Sequence, residues 1–132
     1  VGLPLEVEDA SYNLIFPESI EGTLYSFDDG YSLETSLTQG EGYWLRFESA
    51  GSTTITGALM YEITISLNEG WNLISGLSED ISIYSVLDPD SIIVPGTLYG
   101  FNAGYVETDM LVPGKGYWIR ANNSGNITLT SE

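Results

Sequence analysis

The side chains that could do chemistry in this sequence are carboxylates, aromatic rings and a few cations. Cysteine and histidine are both absent, which excludes disulfides, thiolate metal sites and every mechanism that depends on an imidazole. A glycosidase needs two carboxyl groups that flank the bond to be cleaved. The chain has 19 acidic residues, but no pair of them is singled out by its surroundings. The sequence therefore predicts no catalytic residue and a protein that is not an enzyme.

Acidic side chains are clustered at residues 6–9, 28–29 and 88–90. Calcium takes about six to eight oxygen ligands from carboxylates and loop carbonyls, so each cluster is a candidate for part of a calcium site. None of them fits the spacing of an EF-hand loop. Asp28 and Asp29 are equally explained as a hairpin turn. Calcium is the one cofactor that the sequence leaves open, and no other cofactor is predicted.

A Gly-Xaa-Gly-Tyr-Trp motif occurs at residues 40–44 and again at 114–118. Successive side chains of a strand point to opposite faces, so one ring of each Tyr-Trp pair must face inward. If the outward ring stacks on a sugar, the motif marks a carbohydrate-binding site, with Tyr25, Tyr31, Tyr99 or Tyr105 beside it. If both rings pack, one lies in the core and the other lies against the neighbouring copy. The second interpretation is favoured because large aromatic side chains dominate small β cores. The candidate ligand-binding residues are Tyr43, Trp44, Arg46, Tyr117, Trp118 and Arg120.

Two arginines stand at matching places, each two residues after a tryptophan. Arg46, Arg120 and Lys115 are the three basic residues of the chain. We expect each guanidinium to form an ion pair or to stack on an aromatic ring within its own copy of the motif. A clamp on a ligand is the alternative.

These motifs belong to an internal duplication. Residues 22–57 and 96–131 match without a gap at a spacing of 74, with 16 identities in 36 positions. The identities are mostly Gly, Tyr, Trp, Phe and Leu, whereas charges change, as at Glu41 and Lys115. What the copies share is therefore architecture. We expect a first repeat at 1–57 and a second at 58–132, which form one compact unit.

Alternating apolar residues between turn signals predict a mainly antiparallel all-β fold, either a sandwich or barrel-like. The two repeats are expected to be pseudo-symmetric, with one short helix each, at 12–16 and 81–87. A hairpin of 61–67 with 71–75 is expected to open the second repeat. The predicted strands of the first repeat are 22–27, 31–34, 43–47 and 53–56, and those of the second are 96–101, 105–108, 117–121 and 127–130.

The first repeat has no counterpart of that opening hairpin, because Val1 aligns with Ser75. We expect an exposed sheet edge near Val1, and exposed edges invite pairing. Three segments could pair with this edge: the 61–67 strand crossing over in cis, a strand from a neighbouring chain, or an upstream segment. The cis arrangement is favoured because a linked strand has a high effective concentration.

The charge balance limits the partners. A formal net charge of −16 excludes nucleic acid, since phosphate binding needs Lys and Arg, and it disfavours anionic membrane surfaces. No apolar run approaches the length of a membrane span, so no membrane insertion is predicted. The lack of Cys and the scarcity of Lys suit an exported protein, so we expect an extracellular or cell-surface location and a larger parent protein.

Two short predicted strands resemble a known kind of repeat. Residues 70–75 read GWNLIS and residues 113–118 read PGKGYW, an order that resembles a β-rich tandem repeat of large secreted or cell-surface bacterial proteins. The resemblance covers the second repeat and the first from Val1 onward, although 39–42 read QGEG instead of PGKG. It implies a structural module for adhesion, spacing or assembly, whose partners are the rest of the parent protein or neighbouring copies. The alternative is a carbohydrate-binding module of a secreted enzyme, with polysaccharide as its partner.

Overall fold

The computed structural model describes residues 1–131 and confirms an all-β fold built from open, antiparallel sheets. One short α-helix, α1, and one turn of 3₁₀ helix at Ile83–Ser85 interrupt the strands of this region. In chain order the elements are β1 (Leu5–Glu6), α1 (Tyr12–Ile15), β2 (Tyr25–Phe27), β3 (Tyr31–Leu33), β4 (Ala58–Leu59), β5 (Glu62–Leu67), β6 (Gly70–Ser75), β7 (Ile81–Ser82), β8 (Tyr99–Phe101), β9 (Tyr105–Glu107), β10 (Met110–Leu111), β11 (Gly116–Ala121) and β12 (Gly125–Thr130).

The short helices match the sequence prediction in part. The helix expected at 12–16 is α1, which is a single turn. In the second repeat the expected helix at 81–87 is replaced by β7 and the 3₁₀ turn. The β-branched residues there disfavour an α-helix, and β7 instead pairs with β10.

The predicted hairpin of 61–67 with 71–75 is wrong, because β5 and β6 do not pair with each other. β6 pairs with β11 from Ser75↔Gly116 to Gly70↔Ala121, and β5 pairs with β12 in the same antiparallel sense. Both strands therefore run along one bent ladder, which we call the long ladder.

The side chain of Asn72 explains why the chain bends here instead of reversing. Its Oδ1 accepts a hydrogen bond from the Asn68 N–H at 2.9 Å. Its Nδ2 donates to the carbonyl oxygens of Asn68 and Gly70 at 2.9 and 3.1 Å. Gly70 has a φ of 95°, which glycine adopts without strain. Asn72 thus satisfies the backbone groups that the bend removes from the ladder.

Each repeat has its own apolar cluster. In the second repeat the inward residues of β11 and β12, such as Ile119, Ile127 and Leu129, are at most 1% exposed. Burying a side chain of this size fully contributes about 1.5–3 kcal/mol, so the long ladder organises the larger core. The cluster of the first repeat consists of Leu3, Tyr12, Ile15, Phe16, Leu24, Leu37 and Tyr43.

Local hydrogen bonds recur at the spacing of 74 residues. Thr23 Oγ1 donates to the Ile20 carbonyl at 2.6 Å, and Thr97 Oγ1 donates to the Val94 carbonyl at 2.6 Å. The hairpin turns also match, since Asp29 and its counterpart Ala103 both have a φ of 55°. The predicted hairpins around these turns are confirmed as β2–β3 and β8–β9. Superposition of the two whole repeats stays a prediction.

The first repeat differs in the region that corresponds to β11 and β12. The predicted strand at 43–47 is reduced to isolated bridges, Tyr25↔Trp44 and Ser19↔Phe47 among them. The predicted strand at 53–56 is wrong: within residues 1–131 no backbone–backbone hydrogen bond involves residues 48–56. Its counterpart β12 is held by β5, and the first repeat has no strand in that place. The 61–67 strand does not cross over in cis, because β5 stays with β12.

Backbone hydrogen bonds nevertheless join the repeats. On its second edge β6 meets the first glycine motif, where the Ser75 N–H donates to the Gly40 carbonyl at 2.9 Å. Reciprocally, the Gly2 N–H donates to the Gly114 carbonyl at 3.0 Å. Residues 1 and 2 are thus held between the two repeats by hydrogen bonds, and the Val1 amine donates to the Tyr43 carbonyl at 2.8 Å.

The enclosed Val1 amine makes stability depend on pH. Although the residue as a whole is only half-buried, burial of the amine itself lowers its pKa from 8.0 to about 6. Between pH 6 and 8 the unfolded chain keeps this proton and the folded chain releases it, so stability rises with pH. We expect the free energy of unfolding to increase by about 2–3 kcal/mol across this window. Urea unfolding at pH 6 and pH 8 measures the change, and equal midpoints would contradict it.

Candidate functional site

The two tyrosines of the Gly-Tyr-Trp motifs are core residues. Tyr43 and Tyr117 are 3% and 4% exposed. Their hydroxyl oxygens accept hydrogen bonds from the backbone N–H groups of Thr38 and Val112 at 2.8 and 2.9 Å. Burial raises the pKa of Tyr43 to about 12 and also raises the pKa of Tyr117. These rings hold the turn that precedes each motif and are closed to a ligand.

The two tryptophans pack across the boundary between the repeats. Trp118 of the second repeat lies edge-on to Phe27 of the first, with ring centroids 4.9 Å apart. Trp44 of the first repeat lies edge-on to Phe101 of the second at 5.1 Å. Both indoles are half-buried. The contacts agree with the interpretation in which one ring of each motif is in the core and the other lies against the neighbouring copy.

We expect a measurable coupling between Phe27 and Trp118. Edge-to-face aromatic pairs contribute about 0.5–1.5 kcal/mol beyond their buried area. In a double-mutant cycle with Phe27→Ala and Trp118→Ala, the free energies of unfolding should be non-additive by that amount. Phe27→Ala with Trp44→Ala is the matched control, because these rings do not touch, and its coupling should be close to zero. Equal coupling in both cycles would contradict the packing.

A cleft of about 1250 Å³ opens beside Trp118. Its floor is the sheet of β6, β11 and β8, where Trp71 lies opposite Arg120 and Trp118 lies opposite Tyr99. Trp71 is 41% exposed, and its ring is 6.2 Å from that of Tyr99. Phe27 brings the first repeat to the wall of the cleft. Aromatic faces beside a guanidinium can stack on a sugar ring and hydrogen-bond its hydroxyl groups.

The six candidate residues from the sequence are not brought together. Trp118 and Arg120 line the cleft, whereas Trp44 belongs to a separate shallow pocket with Tyr25 and Tyr31. Arg46 is exposed and lines neither of these pockets.

The ion pair or aromatic stack expected for each arginine is also missing. Among residues 1–131, Arg46 and Arg120 form neither an ion pair nor a ring contact. Their backbones are nevertheless fixed alike, since the N–H groups of Arg46 and Arg120 donate to Thr23 Oγ1 and Thr97 Oγ1 at 3.2 and 3.1 Å. The two side chains are therefore free to meet a ligand, and only that of Arg120 does so from a cleft.

Sequence reasoning placed Tyr99 and Tyr105 beside the possible sugar site, and both line the cleft, but it missed Trp71. Trp71 is one of three tryptophans and has no counterpart in the first repeat. This difference between the repeats was the one feature of the sequence that could have identified it as a site residue. Its neighbours could not be identified without the β6–β11 register.

Carboxylates from two of the acidic clusters cap turns. The carboxylate of Asp88 accepts hydrogen bonds from the Ile92 and Ile93 N–H groups, both at 2.9 Å. Asp9 accepts from the Ser11 hydroxyl at 2.6 Å, which lowers the pKa of Asp9. Within residues 1–131 no group of three or more acidic side chains is placed to hold a metal ion.

Comparison of the chain with protein-family models, with curated proteins and with solved structures gives no match. Across residues 1–131, no helix has both the length and the apolar character needed to cross a membrane. The function therefore has to be argued from the geometry of this chain alone.

Proposed function

We propose that the chain is a non-enzymatic β-repeat module of an extracellular or cell-surface protein, which serves adhesion, spacing or assembly. The observation that carries this proposal is the recurrence of the same turns and side-chain hydrogen bonds at a spacing of 74 residues. The tyrosine hydroxyl bonds of Tyr43 and Tyr117 recur to within 0.1 Å. Charged groups at matching positions differ, as at Glu41 and Lys115. Duplication has retained the framework and not a set of reactive groups.

Charge and sequence pattern support the same role. A net charge of −16 keeps a protein soluble and prevents close approach of like surfaces at low salt. The GWNLIS and PGKGYW strands, which resemble those of bacterial surface repeats, are β6 and the start of β11, and they pair with each other. In this proposal the module is one unit within a larger parent protein.

A carbohydrate-binding module is the second candidate, and the cleft favours it. Trp71 presents an exposed ring next to Tyr99, and Arg120 lies opposite Trp71 on the neighbouring strand. A sugar bound there would stack on Trp71 and donate or accept hydrogen bonds at the polar rim, which includes Glu69 and Asn122.

Replacing Trp71 by alanine separates the two candidates. The structural role predicts that the chain and its Trp71→Ala variant elute together, without retention, from columns of cellulose, xylan, chitin and peptidoglycan. Polysaccharide binding predicts retention that Trp71→Ala abolishes while Tm changes little, because the ring is 41% exposed. Tyr84→Ala is the matched control, since Tyr84 is exposed and lies outside the cleft. Specific retention on any of these columns would overturn the structural proposal.

A further inference from the structure

The first repeat has an open sheet edge at the place where the second repeat carries β5 and β6. In β11 the alternate residues Ile119 and Ala121 face Asn72 and Gly70 of β6. Their counterparts Leu45 and Phe47 have backbone N–H groups that make no backbone hydrogen bond among residues 1–131. Unpaired donors in a row are a template for another strand.

The apolar side chains of this edge are also more exposed than their counterparts in the second repeat. Ile55 is only half-buried, whereas its counterpart Leu129 is 0% exposed. Phe47 is 37% exposed. In the second repeat β5 and β6 cover the equivalent positions. A strand of the same length would bury the exposed positions of the first repeat.

Free space lies directly beside the edge. A cavity of about 600 Å³ runs from Val1 and Phe16 past Phe47 to Gly51 and Thr53. Val1 already occupies the place of Ile74 in β6, because it pairs with Tyr43, the counterpart of Tyr117, through hydrogen bonds of 2.8 Å in both directions. A strand that ends next to Val1 would continue along this cavity.

We propose that this edge takes up a further β-strand with the apolar pattern of residues 61–73, antiparallel to residues 45–56. The inference deepens the proposed assembly role, on which its biological meaning rests, by naming the kind of partner. Main-chain hydrogen bonds supply the affinity in such a complex, and alternate side chains supply the specificity.

The second repeat also fixes the register of the donated strand. There Gly70 faces Ala121, Ile65 faces Ile127 and Ile63 faces Leu129. Subtraction of 74 places the donor residues equivalent to Gly70, Ile65 and Ile63 opposite residues 47, 53 and 55. The donor needs glycine at the bend, because the bend there has a φ of 95°.

A synthetic peptide with the sequence of residues 61–73 tests the proposal on the intact chain. We expect saturable binding, slower amide exchange at residues 45–56, and a rise in Tm of roughly 10 °C at a hundredfold excess over Kd. The same peptide with N-methyl groups on alternate amides is the matched control, because it keeps the side chains and loses the ladder donors. No binding, or equal binding of both peptides, would overturn the proposal.

Cross-linking tests the register independently of affinity. Directly opposed Cβ atoms of antiparallel strands are about 4.5–5.5 Å apart, and the chain has no cysteine of its own. A peptide carrying cysteine at the Ile65 position should form a disulfide with the Thr53→Cys chain at least about ten times faster than with Thr56→Cys, because the second cysteine is out of register. Equal rates would refute the proposed register.

The two proposals fail in different experiments. Retention on polysaccharide would refute the structural role and leave peptide binding unaffected, since the cleft lies on the β6–β11–β8 sheet. Absence of peptide binding would refute the donated strand and leave the column result unchanged.

Discussion

Replacing Tyr117 by alanine is expected to lower the free energy of unfolding by about 3–5 kcal/mol. The ring is 4% exposed, and its hydroxyl accepts the Val112 N–H. Tyr117→Phe keeps the ring and removes only this acceptor, so it should cost about 1 kcal/mol. Urea unfolding of the three proteins measures both differences.

An exposed tyrosine is the control for this experiment. Tyr84 is 85% exposed, so Tyr84→Ala should change the free energy of unfolding by less than about 0.5 kcal/mol. A loss below about 1 kcal/mol for Tyr117→Ala would contradict the burial of this ring in the core.

A methyl group at Gly42 should disrupt the junction of the repeats. An added Cβ would lie 2.6 Å from the Ile74 carbonyl oxygen and 3.0 Å from Leu73 Cγ. The nearer atom belongs to the backbone and cannot rotate away. The free energy of unfolding should therefore fall by about 3 kcal/mol or more, the upper end of the range for overpacked cores. The free energy of unfolding of Gly42→Ala, from urea titration, measures it.

Gly51 is the matched control in the same repeat. A Cβ at Gly51 would approach only Glu18 Oε2, at 3.7 Å, and Gly51 does not have a positive φ. Gly51→Ala should therefore stay within about 0.5 kcal/mol of the original chain. If both variants are equally stable, the contact between β6 and residues 40–42 is not as close as described.

The sequence predicted the features that rest on local turn chemistry. The hairpins β2–β3 and β8–β9 were predictable because a glycine closes each loop, and Gly30 and Gly104 do have φ values of 150° and 155°. The two-residue period of a strand predicted that one ring of each Tyr-Trp pair faces inward, but not that this ring is the tyrosine. These features therefore required no knowledge of distant contacts.

The predictions that failed depended on pairing partners far away in the chain. Asn68, Glu69 and Gly70 carry a turn signal, yet the segment bends because Asn72 binds the freed backbone groups. The strand predicted at 53–56 has the right alternation, but a strand needs a neighbour to satisfy its backbone.

The contribution of Trp71 to the cleft was equally inaccessible to sequence reasoning. Trp71 comes to lie beside Tyr99 and opposite Arg120 only through the register of β6, β11 and β8. The sequence predicted the arginines and tryptophans of both repeats alike as candidate ligand-binding residues. In the structure Arg120 lines a cleft and Arg46 does not. Equivalent residues thus have different surroundings, because Trp71 belongs to the segment that the first repeat lacks.

Amide hydrogen exchange, residue by residue, tests most directly the claim that the second repeat has a complete ladder and the first has an open one. We predict that Ile119, Ala121 and Ile127 exchange at least about a thousand times more slowly than unfolded chain, since they open only with the core. Their counterparts Leu45, Phe47 and Thr53 should exchange within about tenfold of the unfolded rate. Equal protection of the two sets would show that the first repeat is already closed, and it would contradict both the open edge and the donated strand.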